Sequence, residues 1–438
     1  MQVGAQGTND EGFRLRNQPA LDGIRAFAVV AVMVCHAFPQ YAGGGYGVDV
    51  FFCLSGFLIT SLLLGEWRTN ERVHLRYFWA RRALRLLPAL LLMLAAVSAY
   101  SVFVASPALR DETLGALPAV LFYFANWWRA LGHHSLGMLG PTWSLSVEEQ
   151  FYLLWPLLLV LTLHYARRPR RWLLLITATG CAFALVDRLM LFGNNPELDL
   201  VRLNGADARA DQLLAGCALA VVCAALSPRG RTHLRRLFAV LFLPAVLGFA
   251  WLFVYTKRTG FAPDVIYTFG FTALALASVV VIGHVALSPR SLAARFLALW
   301  PLRSIGRISY GLYLWHFPVF IVVAVHSGIR TVAPRTAAAF GATLATATTS
   351  YFVLEHPLLK RKERFRARAA LPTAATTARP LVTVNAHSNG RRPWDADDVA
   401  ALLDGLADET PLSVLSERLG RSPQALQAKA RRLGIPSR

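Results

Sequence analysis

The chain has 438 residues, 55% of them hydrophobic, and a mean hydropathy of +0.43. This excludes a disordered chain and an ordinary soluble domain, and it points to a membrane protein. The net charge of +20 would suggest a nucleic-acid partner in a soluble chain, but here it is gathered in the connections between apolar runs and reports topology.

Residues 1–16 form a polar tail without the apolar core of a signal peptide. Apolar runs near the length needed to span a bilayer follow at 22–39, 47–65, 86–105, 147–164, 172–192, 210–227, 237–256, 266–286, 307–327 and 336–354. Cys35, Cys53, Cys181, Cys217 and Cys223 all fall inside these runs, so no disulfide framework is indicated. The segments 66–85, 165–171, 228–236, 288–305 and 356–368 are rich in arginine, whereas 40–46, 193–209, 257–265 and 328–335 carry few or balanced charges. Positive loops stay in the cytoplasm, and the alternation closes only if 106–146 lies wholly outside. Leu114–Trp128 is then a re-entrant or interfacial helix, anchored by Trp127, Trp128 and Arg129. The expected fold is all-α: a bundle of about ten transmembrane helices in the cytoplasmic (inner) membrane, with the bilayer as partner and both termini in the cytoplasm.

The first span holds two ionisable residues, Arg25 and His36. Eleven residues apart, they return to nearly one face of a helix, roughly 16 Å apart along its axis. Charged groups in a span are expensive and are functional candidates by default. The plainer alternative is a snorkelling arginine and a histidine bonded within the bundle. The second span opens outside with Gly47-Val-Asp49-Val-Phe-Phe-Cys-Leu-Ser55-Gly56, and the fourth with Trp143-Ser-Leu-Ser146-Val-Glu148-Glu149-Gln-Phe-Tyr152. Both place carboxylates at the expected level of His36, and a carboxylate that orients a histidine is an arrangement for general-base catalysis. At the inner end of the third span, Arg81, Arg82 and Arg85 precede Pro88. Their planar guanidinium groups suit phosphate, and a positive-inside anchor is the competing reading.

Arg25 with His36, the Gly47–Phe57 run, Arg82-Ala-Leu-Arg85, Trp143–Tyr152, Arg209-Ala-Asp211-Gln-Leu-Leu-Ala-Gly216 and Ile308-Ser-Tyr310-Gly-Leu-Tyr313-Leu-Trp-His316 occur in one order over about residues 17–360. In this the sequence resembles the bacterial acyltransferase 3 family. The resemblance implies an integral-membrane O-acyltransferase that moves an acyl group, acetyl or another short chain, from cytoplasmic acyl-CoA to a hydroxyl of a glycan, glycolipid or glycoside. It implies essential roles for Arg25, His36, Arg82 and Arg85. Many members of the family continue into an extracytoplasmic hydrolase-like domain. The lack of one here directs the expectation to lipid-linked or small glycosides rather than to polymeric cell-wall glycans.

Taken together, His36 is expected to act as base, with Glu148 or Asp49 orienting it, and an acyl-imidazole on His36 is the covalent variant. Arg25, Arg82, Arg85 and Arg81 are expected to hold the acyl-CoA phosphates. Glu149, Ser146, Tyr152, Arg209, Asp211, Tyr310, Tyr313 and His316 are expected to line the substrate pocket. Ser55 and Gly56 read as small packing residues, and no Gly-x-Ser-x-Gly elbow supports an acyl-serine mechanism. No metal is expected: His133-His134 have no Cys, Asp or Glu at ligand spacing. A transporter or flippase, and a membrane-tethered regulator, are the rival classes.

Residues 361–390 are basic, then rich in Ala, Thr and Pro, and read as a linker. Residues 391–438 read as a small helix-turn-helix-like module. Its first helix follows Trp394-Asp395, its second runs about Leu412–Leu419 to Gly420, and its third starts at Ser422-Pro423 and stops at Gly434. Gln424, Gln427, Lys429, Arg431 and Arg432 fall on the third helix. With eight Lys/Arg against seven Asp/Glu the module is nearly neutral, so a cytoplasmic protein partner is favoured over DNA.

Overall fold

The computed structural model describes residues 18–38, 45–132, 134–194, 200–255, 269–358, 394, 396–407, 412–419 and 421–433, which among them contain helices and no strand. The polar tail 1–16, the linker 361–390, His133, Asp395, Gly420 and Gly434 lie outside the described residues. The chain divides into two compact units, residues 1–371 and 372–438.

In the larger unit the helices are α1 (Pro19–Ala37), α2 (Gly47–Asn70), α3 (Leu75–Phe103), α4 (Pro107–Leu121), α5 (Ala125–Gly132), α6 (Thr142–Tyr165), α7 (Pro169–Asn194), α8 (Ala206–Ala225), α9 (Pro228–Tyr255), α10 (Phe271–Leu287), α11 (Leu292–Leu297), α12 (Trp300–Arg307), α13 (Ser309–His326) and α14 (Val332–Ser350). Among the described residues nine helices are long and apolar enough to cross a bilayer, while α10 is an apolar helix of 17 residues. The protein is a multi-pass membrane protein. Helix α9 leaves Leu237, Val240, Leu243, Leu247 and Trp251 exposed, the surface that lipid would cover.

The connection 106–146 forms the short helices α4 and α5, too short to span, as the charge alternation requires. It also folds inward. Met138, Leu139, Thr142 and Ser144 are buried, and the Met138 N–H donates to Thr113 Oγ1 at 3.1 Å. Helix α5 docks on α6: the Ala125 N–H donates to Ser146 Oγ (3.2 Å), and Gln150 Nε2 donates to Tyr123 O and to Asn126 Oδ1. The N-terminal end of α6 therefore starts within the bundle rather than at its edge.

Segment 288–305, expected as a plain basic loop, instead contains α11 and α12. Ser291 caps α11 by accepting from the Ala294 N–H. Both helices pack on the start of α1, where Gly23 meets the Leu297 backbone and Gly306 meets the Asp22 backbone. A second close seam joins α2 and α8: a Cβ at Gly56 would overlap the Leu213 backbone, and one at Gly216 the Cys53 backbone. Gly56 is thus a packing residue, as its size suggests.

Pro156 lies inside α6, where a proline leaves the carbonyl four residues earlier without its helical donor. That carbonyl belongs to Tyr152, and Trp79 Nε1 of α3 donates to it at 3.0 Å. Trp155 Nε1 donates to Thr60 Oγ1 of α2 at 2.8 Å. The indoles of Trp79 and Trp155 thereby fix α6 against α3 and α2.

The smaller unit holds α15 (Ala396–Ala407), α16 (Leu412–Leu419) and α17 (Pro423–Arg432) around Leu402, Leu415 and Leu426. The Ser422 hydroxyl caps the third helix by accepting from the Ala425 N–H at 3.3 Å. Arg421 pairs with Asp398 at 2.6 Å and stacks over Trp394.

The α2–α8 seam gives a stability prediction. Gly216→Leu should lower stability by at least about 1–3 kcal/mol through overpacking, seen as a fall in melting temperature in detergent. Gly248→Ala, where a Cβ meets open space on α9, should leave it unchanged or slightly raised.

Candidate active site

Arg25 of α1, Ser55 of α2, Arg82 and Arg85 of α3, Glu148 and Tyr152 of α6, and Tyr310 and Tyr313 of α13 line one pocket. Arg82 and Arg85 are three residues apart on a helix and so share its face. The Arg82 guanidinium lies 4.2 Å over the Tyr152 ring. The Tyr152 hydroxyl donates to Ser55 Oγ at 2.9 Å, and Ser55 donates to Glu148 Oε1 at 2.8 Å. Glu148 also lies within electrostatic reach of Arg82 and Arg25. Tyr310 Oη donates to Leu86 O at 2.9 Å, tying α13 to α3. Tyr313 Oη donates to Pro141 O at 3.0 Å and shares a 2.6 Å hydrogen bond with Ser144. Three guanidinium groups against one lining carboxylate give the pocket an excess of positive charge, suited to a ligand with several anionic oxygens.

The proposed orienters of His36 are elsewhere. Exposed in the last turn of α1, His36 pairs with buried His316 of α13, Nδ1 to Nε2, at 3.1 Å. His36 Nδ1 is also 3.0 Å from Val32 O, and His316 Nδ1 is 2.6 Å from Tyr313 O. Glu148 is held by Ser55 among the arginines because α6 begins deep in the bundle. Asp49 is buried and accepts from Arg209 Nη1 at 2.7 Å. Neither carboxylate is a hydrogen-bond partner of His36. Neither histidine lines the arginine pocket; Tyr313 does, and its ring lies 5.5 Å from that of His316.

Other expected pocket residues are engaged differently. Arg209 donates to Asp49 and to Leu203 O, and its guanidinium sits 3.7 Å over Phe271. Asp211 accepts from both terminal nitrogens of Arg188 at 3.0 and 2.6 Å, and from Thr272 at 2.8 Å. Ser146 accepts the Ala125 N–H and donates to Thr142 O, so its hydroxyl docks α5. Arg81 pairs with Glu66 at 3.7 Å. Glu149 does not line the pocket and lies within electrostatic reach of Arg82 and Glu148.

The sequence reading missed Ser144, Ser309 and Phe51 as lining residues, and it took Ser55 for a packing residue. Arg188, fully buried, went unnoticed although a lone arginine in an apolar run was signal enough. Glu355 is buried in the π turn Tyr351–Glu355 and within electrostatic reach of Arg85; π turns of this kind recur at functional sites.

The profile for the acyltransferase domain, Acyl_transf_3, matches residues 18–354, and the chain belongs to this family. Among its relatives, the peptidoglycan O-acetyltransferase OatA of Listeria monocytogenes is 36% identical over 312 residues, 69% of this chain and 49% of that protein. The O-acetyltransferase OatA of Staphylococcus aureus is 33% identical over 369 residues, 82% of this chain and 59% of that protein. The putative peptidoglycan O-acetyltransferase YrhL of Bacillus subtilis is 34% identical over 313 residues, 69% of this chain and 49% of that protein. This chain therefore spans about half to three-fifths of their length. No solved structure matches it.

The buried pair of Asp49 and Arg209 predicts a strong asymmetry between single and double variants. Asp49→Asn strands a buried guanidinium and should cost about 3–5 kcal/mol. Replacing both partners with apolar residues of similar size should recover most of that loss, as thermal unfolding of the purified variants would show.

Proposed function

We propose that the chain is an O-acyltransferase that moves an acetyl group from cytoplasmic acetyl-CoA to a hydroxyl of a glycan on the far side of the membrane. The observation that carries this reading is the convergence of Arg25, Arg82 and Arg85 on one pocket, in a bundle of the acyltransferase family. The relatives' names make acetyl the acyl group of choice. They also make peptidoglycan sugars the first acceptor to test, against the sequence-based expectation of lipid-linked or small glycosides.

In this reading the N-terminal end of α1 faces the cytoplasm, as the arginine-rich loops demand, with both termini on that side. Arg25, Arg82 and Arg85 bind the phosphates of the donor. Ser55 and Tyr152 hold Glu148 as a counter-charge, keeping the three cations from repelling one another. The extended thioester arm reaches past Tyr313 toward His36. The acceptor oxygen then attacks the thioester carbonyl as His36 takes its proton; the C–S bond breaks, and the proton passes to the departing thiolate. No phosphate loop or nucleophile motif occurs in residues 391–438, and that segment serves a cytoplasmic partner, with protein favoured over DNA.

Acetyl-CoA turnover by purified protein separates this reading from transport or regulation. His36→Ala should abolish turnover, by at least about 100-fold, while leaving an inserted, monodisperse protein. Near-normal turnover in that variant would end the proposed chemistry. Arg82→Ala and Arg85→Ala should each weaken CoA binding by about tenfold or more, as titration calorimetry would measure, with lysine an incomplete substitute for the bidentate fork.

The C-terminal segment gives a separate expectation. A chain ending at Arg368 should keep acetyl transfer within about twofold of the full-length rate, because everything assigned to chemistry precedes it. A truncated protein that inserts normally but turns over no acetyl-CoA would contradict this division of labour.

A further inference from the structure

The histidine pair says more than that two rings touch. A backbone carbonyl can only accept a hydrogen bond. His316 Nδ1 stands 2.6 Å from Tyr313 O, so it bears the proton of the neutral ring and Nε2 is left as a bare acceptor. That acceptor lies 3.1 Å from His36 Nδ1, and His36 Nδ1 lies 3.0 Å from a second acceptor, Val32 O. With an acceptor on either side, His36 Nδ1 must be the donor. The remaining nitrogen of His36, Nε2, then has a free lone pair.

We infer that His316 is a positioning residue that, together with the Val32 carbonyl, holds the ring tautomer and orientation of His36, so that Nε2 of His36 is the nitrogen that receives the acceptor's proton. The inference rests on His36 being the base, and it replaces the carboxylate first expected in the orienting role. A neutral imidazole does this work where a buried carboxylate would add another charge. The His316 ring is itself immobilised: buried, edge-on to Phe320 at 5.9 Å and beside Tyr313 at 5.5 Å. His36 is exposed at the end of α1, and on this assignment Nε2 is the ring nitrogen left to meet an arriving hydroxyl. When Nε2 takes the hydroxyl proton, both ring nitrogens of His36 are protonated and Nδ1–H keeps its two acceptors. When Nε2 hands that proton to the thiolate sulfur, the ring returns to the same tautomer, ready for another cycle.

The test uses the full-length protein in detergent, with acetyl-CoA as donor and solubilised, de-O-acetylated peptidoglycan fragments as acceptor. His316→Phe should lower kcat by about 100-fold while KM for acetyl-CoA stays within about twofold, since the arginine pocket is untouched. His316→Gln, whose amide oxygen can stand where Nε2 stood, should restore kcat to within about tenfold of the parent. Nitrogen-15 spectra of histidine-labelled protein supply a readout independent of turnover. The His36 signals, assigned by their loss in His36→Ala, should show a protonated Nδ1 and a bare Nε2, a preference that His316→Phe, which leaves only Val32 O as acceptor, should weaken.

The failures are distinguishable. If His36→Ala retains turnover, the base reading falls and this inference with it. If His36→Ala is inactive but His316→Phe keeps the parental kcat and tautomer, only the role of His316 is overturned. If His316→Gln is as slow as His316→Phe, although both insert and melt like the parent, the acceptor role is likewise refuted.

Discussion

An ionised side chain inside a bilayer-thick bundle has lost its water, and what replaces that water decides where the side chain sits. This chain meets the demand in three ways. Asp49 with Arg209, and Asp211 with Arg188, close into buried ion pairs. Glu148 is satisfied through Ser55 and, behind it, Tyr152. Arg25, whose Nη1 lies 4.0 Å from Asp22, faces a shared cavity with Arg82 and Arg85. The first solution holds helices together and the third leaves charge available to a ligand. That division separates scaffold from site more sharply than any motif does.

The backbone makes the same division at α6. Pro156 frees a carbonyl in the turn that bears Tyr152, and the Trp79 indole takes it up from α3, the helix of Arg82 and Arg85. A helix irregularity next to the pocket is thus converted into a cross-brace. The inward fold of 134–141 adds depth, bringing Glu148 down to the arginines instead of leaving it beside His36.

Most of the fold was legible in the sequence, because lipid enforces a length and a composition on every span. Charge alternation alone identified 106–146 as a connection that does not cross, and Ser422-Pro423 marked the start of the last helix. Depth was not legible. Hydropathy locates where an apolar run begins, and it says nothing about a preceding loop that dips into the bundle, so Glu148 was assigned to the wrong level. Pairing was not legible either: Asp49 and Arg209 are 160 residues apart, and only the tertiary fold could choose between Arg209 and His36 as partner. Arg25, Arg82 and Arg85, expected at the donor phosphates, line one pocket with Tyr152, Tyr310 and Tyr313, expected around the substrate, while Ser55 was discounted for its size. The helices at 292–307 were hidden because a dense run of arginines reads as topology before it reads as structure.

The glycine seam between α2 and α8 has a mechanical consequence. Backbone lies against backbone at Gly56 and Gly216, with no layer of side chains between them to shear. Helix α2 bears both Asp49 and Ser55, so sliding it along α8 would tear the Asp49–Arg209 ion pair and pull Ser55 away from Glu148. The wall of the cavity is therefore a rigid plate. On the proposed reading, a slender thioester arm would do the travelling, and the protein would work as a fixed window rather than a revolving door.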